Sequence, residues 1–196
     1  SVMRLQLQSE DTPENRAMLA ELFQMEQYVT MALSYARLGN PTKDLVLTRV
    51  PLDPVIRQAI RDFAPLLIRK KLRLQYEPTA ESALTDSKWL LFILHQLLSN
   101  AVKYTDRGRV SIRVTSAPAI IVADTGIGIA PEDVPRVFEK GYTGYNGRGG
   151  QKSTGLGLYL VHQTAEMLHC RVSLSSRIGE GTSVTIDLHQ EELGKE

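Results

Sequence analysis

The sequence predicts an α+β fold: a two-layer α/β sandwich with one mixed sheet covered by helices on one face, preceded by a truncated helical hairpin. Three observations carry this. Residues 14–38 hold one unbroken helical periodicity, in which Leu19, Leu22, Phe23, Val29, Leu33, Ala36 and Leu38 recur on one face. From residue 45 onward, short alternating stretches interleave with longer helical ones. The chain then closes with two alternating runs joined at Ile178-Gly179-Glu180-Gly181, which reads as a β-hairpin.

Bulk properties bound the function. The 196 residues suffice for one domain and an appendage, and the 42% hydrophobic content is that of a globular protein. Lys+Arg (23) nearly cancel Asp+Glu (22), so the charge balance points to neither nucleic acid nor direct membrane contact. A single cysteine, Cys170, excludes an internal disulfide and suits a reducing compartment. The longest apolar run, Trp89 to Leu94, falls far short of the roughly 20 residues of a bilayer span. The chain starts at Ser1-Val2 rather than Met, which reads as a fragment of something longer.

The elements follow in order. Val2 to Leu7 reads as the tail of one helix, turned at Ser9–Thr12 into the next. Thr12 is its expected N-cap, Pro13 its first residue, and Gly39-Asn40-Pro41 its stop. Residues 1–40 thus form the hairpin remnant, 41–44 a linker, 45–190 the main domain and 191–196 a polar tail. Leu45 to Leu52 reads as a strand. Asp53 is the expected cap of a helix from Pro54 to about Lys70, disturbed at Pro65 by the missing donor. Lys71 to Glu77 alternates as a strand, and Asp86 starts a helix to about Tyr104. Strands are expected at Arg109–Ser116 and Ala119–Ala123, and helices around Glu132–Phe138 and Gly155–Leu168. Arg171–Ser176 and Thr182–Leu188 form the closing hairpin.

Three segments carry the chemistry. On the 86–104 helix, Gln96, Asn100, Lys103 and Tyr104 fall at i, i+4, i+7 and i+8, a polar stripe on an otherwise apolar helix. Such a stripe faces either plain solvent or a polyphosphate with its metal. Ile120 to Ala123 runs straight into Asp124-Thr125-Gly126-Ile127-Gly128-Ile129, where the glycines permit close approach to a ligand and Asp124 can accept from an exocyclic amine. Residues 141–157 contain seven of the chain's fourteen glycines, a loop with a high ordering entropy. The segment from Gly147 to Thr154 only superficially suggests a P-loop, because Gln151 separates Gly150 from Lys152.

Taken together, HQLLSNAVKYT (95–105), DTGIGI (124–129), VFEKGYTG (137–144) and STGLGL (153–158) resemble the N, G1, F and G2 boxes of the GHKL (Bergerat) fold. Their order resembles the catalytic and ATP-binding domain of a bacterial sensor histidine kinase over roughly residues 45–190. SYARL, SNAVKYT and GYTGYNGR are similar to the intramembrane-sensing, antimicrobial-peptide-responsive subgroup. The resemblance implies ATP and Mg²⁺ as cofactors, with Asn100 as the metal ligand and Lys103 facing the phosphates. It implies Tyr104 beside the adenine and Asp124 on the adenine amino group, with Gly126, Ile127 and Gly128 around the base. The lid and the helix after it would contribute Lys140, Arg148, Lys152, Thr154, Gly155, Leu156, Gly157 and Leu158, and Thr182 of the Gly179-Glu180-Gly181-Thr182 turn would support the adenine end.

Gln96 stands where GHKL ATPases carry a glutamate base, and an amide cannot take a proton from water. This favours a kinase whose catalytic set is Gln96, Asn100 and Lys103. None of His95, His162, His169 and His189 fits the phosphoacceptor pattern, so the acceptor is expected upstream of Ser1. The implied parent is a homodimeric membrane sensor with this part in the cytoplasm and a response regulator as partner. A GHKL ATPase, an anti-sigma-type serine kinase and a non-enzymatic dimerisation or docking module remain the alternatives.

Overall fold

A computed structural model describes residues 45–144 and 155–189, together with Val29 and Leu33. The chain divides after Asn40. In the first unit Val29 and Leu33 are helical and exposed. The expected N-cap Thr12, the stop at 39–41, the linker and the polar tail lie outside the described residues.

In the second unit, strand β1 (Thr48–Pro51) leads directly into helix α1 (Leu52–Arg69). Strands β2 (Arg73–Tyr76) and β3 (Ser82–Thr85) precede helix α2 (Ser87–Tyr104). Strands β4 (Arg109–Val114) and β5 (Ala119–Asp124) follow, then a 3₁₀ turn at Val134–Arg136, helix α3 (Gly157–Met167), and strands β6 (Arg171–Arg177) and β7 (Gly181–Asp187). The main sheet has the order β2-β4-β5-β7-β6. It is mixed: β2 runs parallel to β4, and the other pairs are antiparallel. β1 and β3 form a separate antiparallel pair.

Alternation along the strands decides which face is covered. Val110 and Ile112, Ile120 and Val122, and Val184 and Ile186 are buried, while Arg109 and Arg113 point away. Against the apolar face lie the helices, with α2 between α1 and α3. The central place of α2 explains its composition, since Leu90, Ile93, Leu94 and Leu98 are fully buried.

Four expectations change. The helix after β1 is capped not by Asp53 but by Pro51, whose extended backbone and fixed φ of −62° end the strand. Asp53 lies in the first turn, accepting from Tyr76 Oη at 2.6 Å and Arg57 Nε at 2.7 Å. Pro65 does not interrupt α1. It and Arg61, whose carbonyl loses a donor, are exposed, so that carbonyl lies where solvent can satisfy it. β3 was not anticipated, because four residues of Ser-Ala-Leu-Thr carry little periodic signal. The helix expected at 132–138 is a single 3₁₀ turn. Pro135 lacks the donor that a longer helix needs.

His95 illustrates how α1 and α2 are joined. Its Nε2 lies 2.9 Å from Asp62 Oδ2, and its ring packs edge-on against Phe63 at 5.6 Å between centroids. Gln58 donates to the other Asp62 oxygen at 2.9 Å. Burial holds the imidazole below its ordinary value of 6.5, and Asp62 only partly offsets this. A depressed histidine contributes stability that is present above 6.5 and lost as pH falls through the folded value. Thermal melts on either side of pH 6.5 should show an acid loss of about 2–4 °C per kcal/mol, reduced in His95→Gln. An identical acid slope in both proteins would sink this assignment.

Cys170 is half-buried, and desolvation pushes its thiol up to about 11. It is therefore a protonated packing residue rather than a nucleophile.

Candidate nucleotide site at the end of the central helix

Asp86 starts α2, its Oδ1 accepting from the backbone of Lys88 at 2.9 Å and of Trp89 at 3.3 Å. With the start fixed, the register delivers Gln96, Asn100, Lys103 and Tyr104 to one side of the last two turns. Gln96 is buried and Asn100 half-buried. They face the start of α3. A Cβ added at Gly157 would lie 3.4 Å from Gln96 Oε1 and 3.8 Å from Asn100 Nδ2. Leu156, the N-cap of α3, offers no side-chain cap, and the helix begins beside Gln96 and Asn100. Residues 57 and 61 positions apart in the sequence thus meet around one space, lined by two amide side chains and a helix N-terminus.

The Asp124 loop is stapled on three sides. Thr125 N donates to Arg109 O at 3.1 Å, tying the loop to β4. Ile127 N donates to Tyr104 O at 3.1 Å, tying it to the end of α2. Gly179 N donates to Ile127 O at 2.9 Å and Ile129 N to Ser176 Oγ at 2.9 Å, tying it to the β6–β7 hairpin. Thr182 contributes here through its hydroxyl, 2.9 Å from Ser176 Oγ. Side chains would not fit at the closest approaches. An added Cβ would fall 2.3 Å from Tyr104 O at Gly126, and 2.0 Å from Asp124 O at Gly181, where φ is also +110°.

Asp124 Oδ1 accepts from Gly126 N at 2.8 Å. Burial raises the carboxyl above its ordinary value, and hydrogen bonds from the Gly126 and Thr182 backbones only partly offset this. The fully buried Thr105 hydroxyl stands beside the carboxylate and opposes the rise in the same way. On the other side of the loop, burial lowers Lys103, whose ammonium lies 5.4 Å from the centre of the Tyr104 ring. Both charged groups are therefore held against their desolvation. A ligand with a donor at the Asp124 end and anionic groups at the Lys103 end would relieve both.

Ile127 is 44% exposed despite its apolar side chain, the environment expected of a wall for a flat ring. Lys140 is exposed at the start of the loop. The loop's neck is closed by Gly141 N donating to Gly155 O at 3.0 Å. Gly155 has φ +65°, and a Cβ there would strike the Gly141 carbonyl carbon at 2.4 Å. Leu156 and Leu158 flank Gly157, both half-buried. Arg148, Lys152 and Thr154 lie outside the described residues.

Sequence reasoning missed the packing below this neck. The Tyr142 hydroxyl bonds the Asp133 carboxylate, and the Arg136 guanidinium lies 4.3 Å over the Tyr142 ring. Phe138 packs on His162 of α3 at 5.5 Å. It also missed Ser176 and Thr105, since isolated hydroxyl residues carry no pattern.

The family model described as histidine kinase-, DNA gyrase B- and HSP90-like ATPase matches residues 85–192. The sensor protein BceS of Halalkalibacterium halodurans is 38% identical over 81% of this chain and 48% of its own length. The sensor histidine kinase YxdK of Bacillus subtilis is 34% identical over 94% of this chain and 58% of its own. The chain thus spans about half the length of these sensor proteins. The crystal structure of full-length ShkA in complex with AMPPNP superposes with a TM-score of 0.67 at 25% identity, over 94% of this chain and 41% of that one. The Acinetobacter baumannii histidine kinase AdeS shares the fold, with a TM-score of 0.65 at 22% identity over 96% and 92% of the two chains. With the matched region running from the end of β3 through both halves of the site, the chain belongs to the family of histidine kinase-, DNA gyrase B- and HSP90-like ATPases.

Proposed function

We propose that this chain is the cytoplasmic kinase portion of a two-component sensor histidine kinase. In this reading it binds ATP·Mg²⁺, and the γ-phosphoryl passes to a histidine on the kinase's dimerisation hairpin, then to an aspartate of a response regulator. The similarity to BceS and YxdK supports the narrower reading as an intramembrane-sensing kinase. ShkA, solved with AMPPNP, supports ATP as the nucleotide. The observation that carries the proposal is the opposition of Gln96 and Asn100 to Gly157 at the uncapped start of α3.

Each residue has a task in that space. Asp124 accepts from the exocyclic amine of adenine, with Ile127 and Tyr104 beside the ring. Lys103 and the first backbone N–H groups of α3 face the phosphates. The Asn100 amide oxygen is a suitable hard ligand for Mg²⁺, an ion that takes few protein ligands and keeps the rest for phosphate and water. Among the described residues no cluster of three His, Cys, Asp or Glu competes for a metal. Bound there, Mg²⁺ would neutralise phosphate charge. Gln96 fills the place of a base without being able to take a proton from water, so the nucleotide is kept for transfer.

Two outcomes follow. ATP affinity should depend on Mg²⁺ in the wild type and lose that dependence in Asn100→Ala, measured by calorimetry with Mg²⁺ or EDTA. Steady phosphate release by this chain, abolished in Asn100→Ala, would instead establish the ATPase alternative.

A further inference from the structure

Lys70, just past α1, has no place in the motifs, yet its ammonium is the hub of the site's far wall. Lys70 Nζ donates to Val102 O at 2.8 Å, Thr105 O at 3.1 Å and Lys103 O at 3.3 Å, and it pairs with Asp106 Oδ1 at 3.3 Å. Those carbonyls close α2, where no further turn supplies donors. The remaining one, Tyr104 O, accepts from Ile127 N at 3.1 Å. All four carbonyls from 102 to 105 are therefore held by groups from outside the helix, three of them by one side chain.

The residues so fixed are the ones that face the nucleotide. Lys103 and Tyr104 project from the held turn, and Thr105 is the C-cap with an extended backbone. A cation at this end also offsets the negative pole of the α2 dipole. Resting on the nucleotide-binding reading above, we infer that Lys70 is a positioning residue for the nucleotide site, setting the orientation of Lys103 and Tyr104 without touching the ligand. A cavity of about 610 Å³ opens beside Lys70, lined also by Lys71, Arg73, Asp106, Arg107 and Arg109. Through it water reaches the same carbonyls once the ammonium is removed. The last turn then frays while the helix survives, so the damage falls on ligand geometry more than on folding.

The test is calorimetric titration of ADP with Mg²⁺ into the 196-residue chain and four variants, at a temperature where circular dichroism shows each one folded. Lys70→Met should bind about tenfold more weakly or worse, from the loss of charge-assisted bonds at the helix end. Lys70→Arg, which keeps the charge and several donors, should recover most of the affinity. Tyr76→Phe, which breaks the Asp53 bond on the far edge of α1, should lower the melting temperature without changing affinity. Should Lys70→Met not fold, Lys70→Gln serves in its place with the same expected loss. Wild-type affinity in the neutral variant overturns the inference. Loss in Tyr76→Phe, or no recovery in Lys70→Arg, also overturns it, because general damage then explains the effect. A silent wild type overturns the nucleotide reading itself and the inference with it.

Discussion

Asp124→Asn is expected to weaken nucleotide binding by roughly ten- to a hundredfold while leaving the domain folded. In the proposed reading the carboxylate is the charged acceptor at the adenine end, and a hydrogen bond to a charged group contributes about 1.5–3 kcal/mol. Folding should respond differently. Burial disfavours the ionised form of Asp124 in the free domain, so a neutral amide removes a desolvation cost. The Gly126 N–H can still be accepted by the amide oxygen. Calorimetry of ADP with Mg²⁺ and a thermal melt on the same samples should therefore diverge, with affinity falling and melting temperature holding or rising.

The pH dependence carries a matching sign. A carboxyl whose folded pKa is raised gives the free domain relative stability as pH falls toward protonation, and loses it as pH rises. Binding is expected to run the other way, because on the proposed reading the ionised form accepts from the ligand. Affinity should decline as titrations step from neutral pH into the carboxylate range, and the decline should be absent in Asp124→Asn. Equal affinity of wild type and variant at neutral pH would remove Asp124 from the site.

The second large effect is Gly126→Ala. The obstacle is contact rather than backbone torsion: the new methyl would lie 2.3 Å from Tyr104 O, 2.8 Å from Asp124 Oδ1 and 2.9 Å from Thr105 Oγ1. The first of these is backbone held in the last turn of α2. The loop must therefore move by about an ångström, breaking the Ile127 to Tyr104 bond and carrying Asp124 with it. Overpacking of this kind costs about 1–3 kcal/mol. In a domain of this size that is roughly 2–12 °C of melting temperature. Unlike Asp124→Asn, this variant should lose both stability and nucleotide binding. Retention of wild-type ADP affinity in Gly126→Ala would show that the loop does not bear on the ligand.

Much of this was legible along the chain, for identifiable reasons. The α2 stripe could be read because helical periodicity places Gln96, Asn100, Lys103 and Tyr104 together whatever surrounds them, and Asp86 marks its own cap. Asp124 and its glycines could be read because a buried strand ends abruptly in residues that permit unusual backbone. β3 could not: four residues hold too few periods, and pairing with β1 defines it. Asp53 looked like a cap because its type suits one. Its carboxylate instead went to Tyr76, a partner 23 residues away.

By itself, then, the sequence determined the elements with strong local period, the four motif segments and the family they belong to. Local torsional preference and side-chain spacing are written in consecutive residues. Tertiary structure alone decided how the site is held: Lys70 on the carbonyls of 102, 103 and 105, Gly181 against Asp124, Gly157 against Gln96 and Asn100. Those contacts join residues from 32 to 61 positions apart. Such partners are set by the closing of the sheet and the packing of three helices on it, and no short-range pattern in the chain encodes which distant group will arrive.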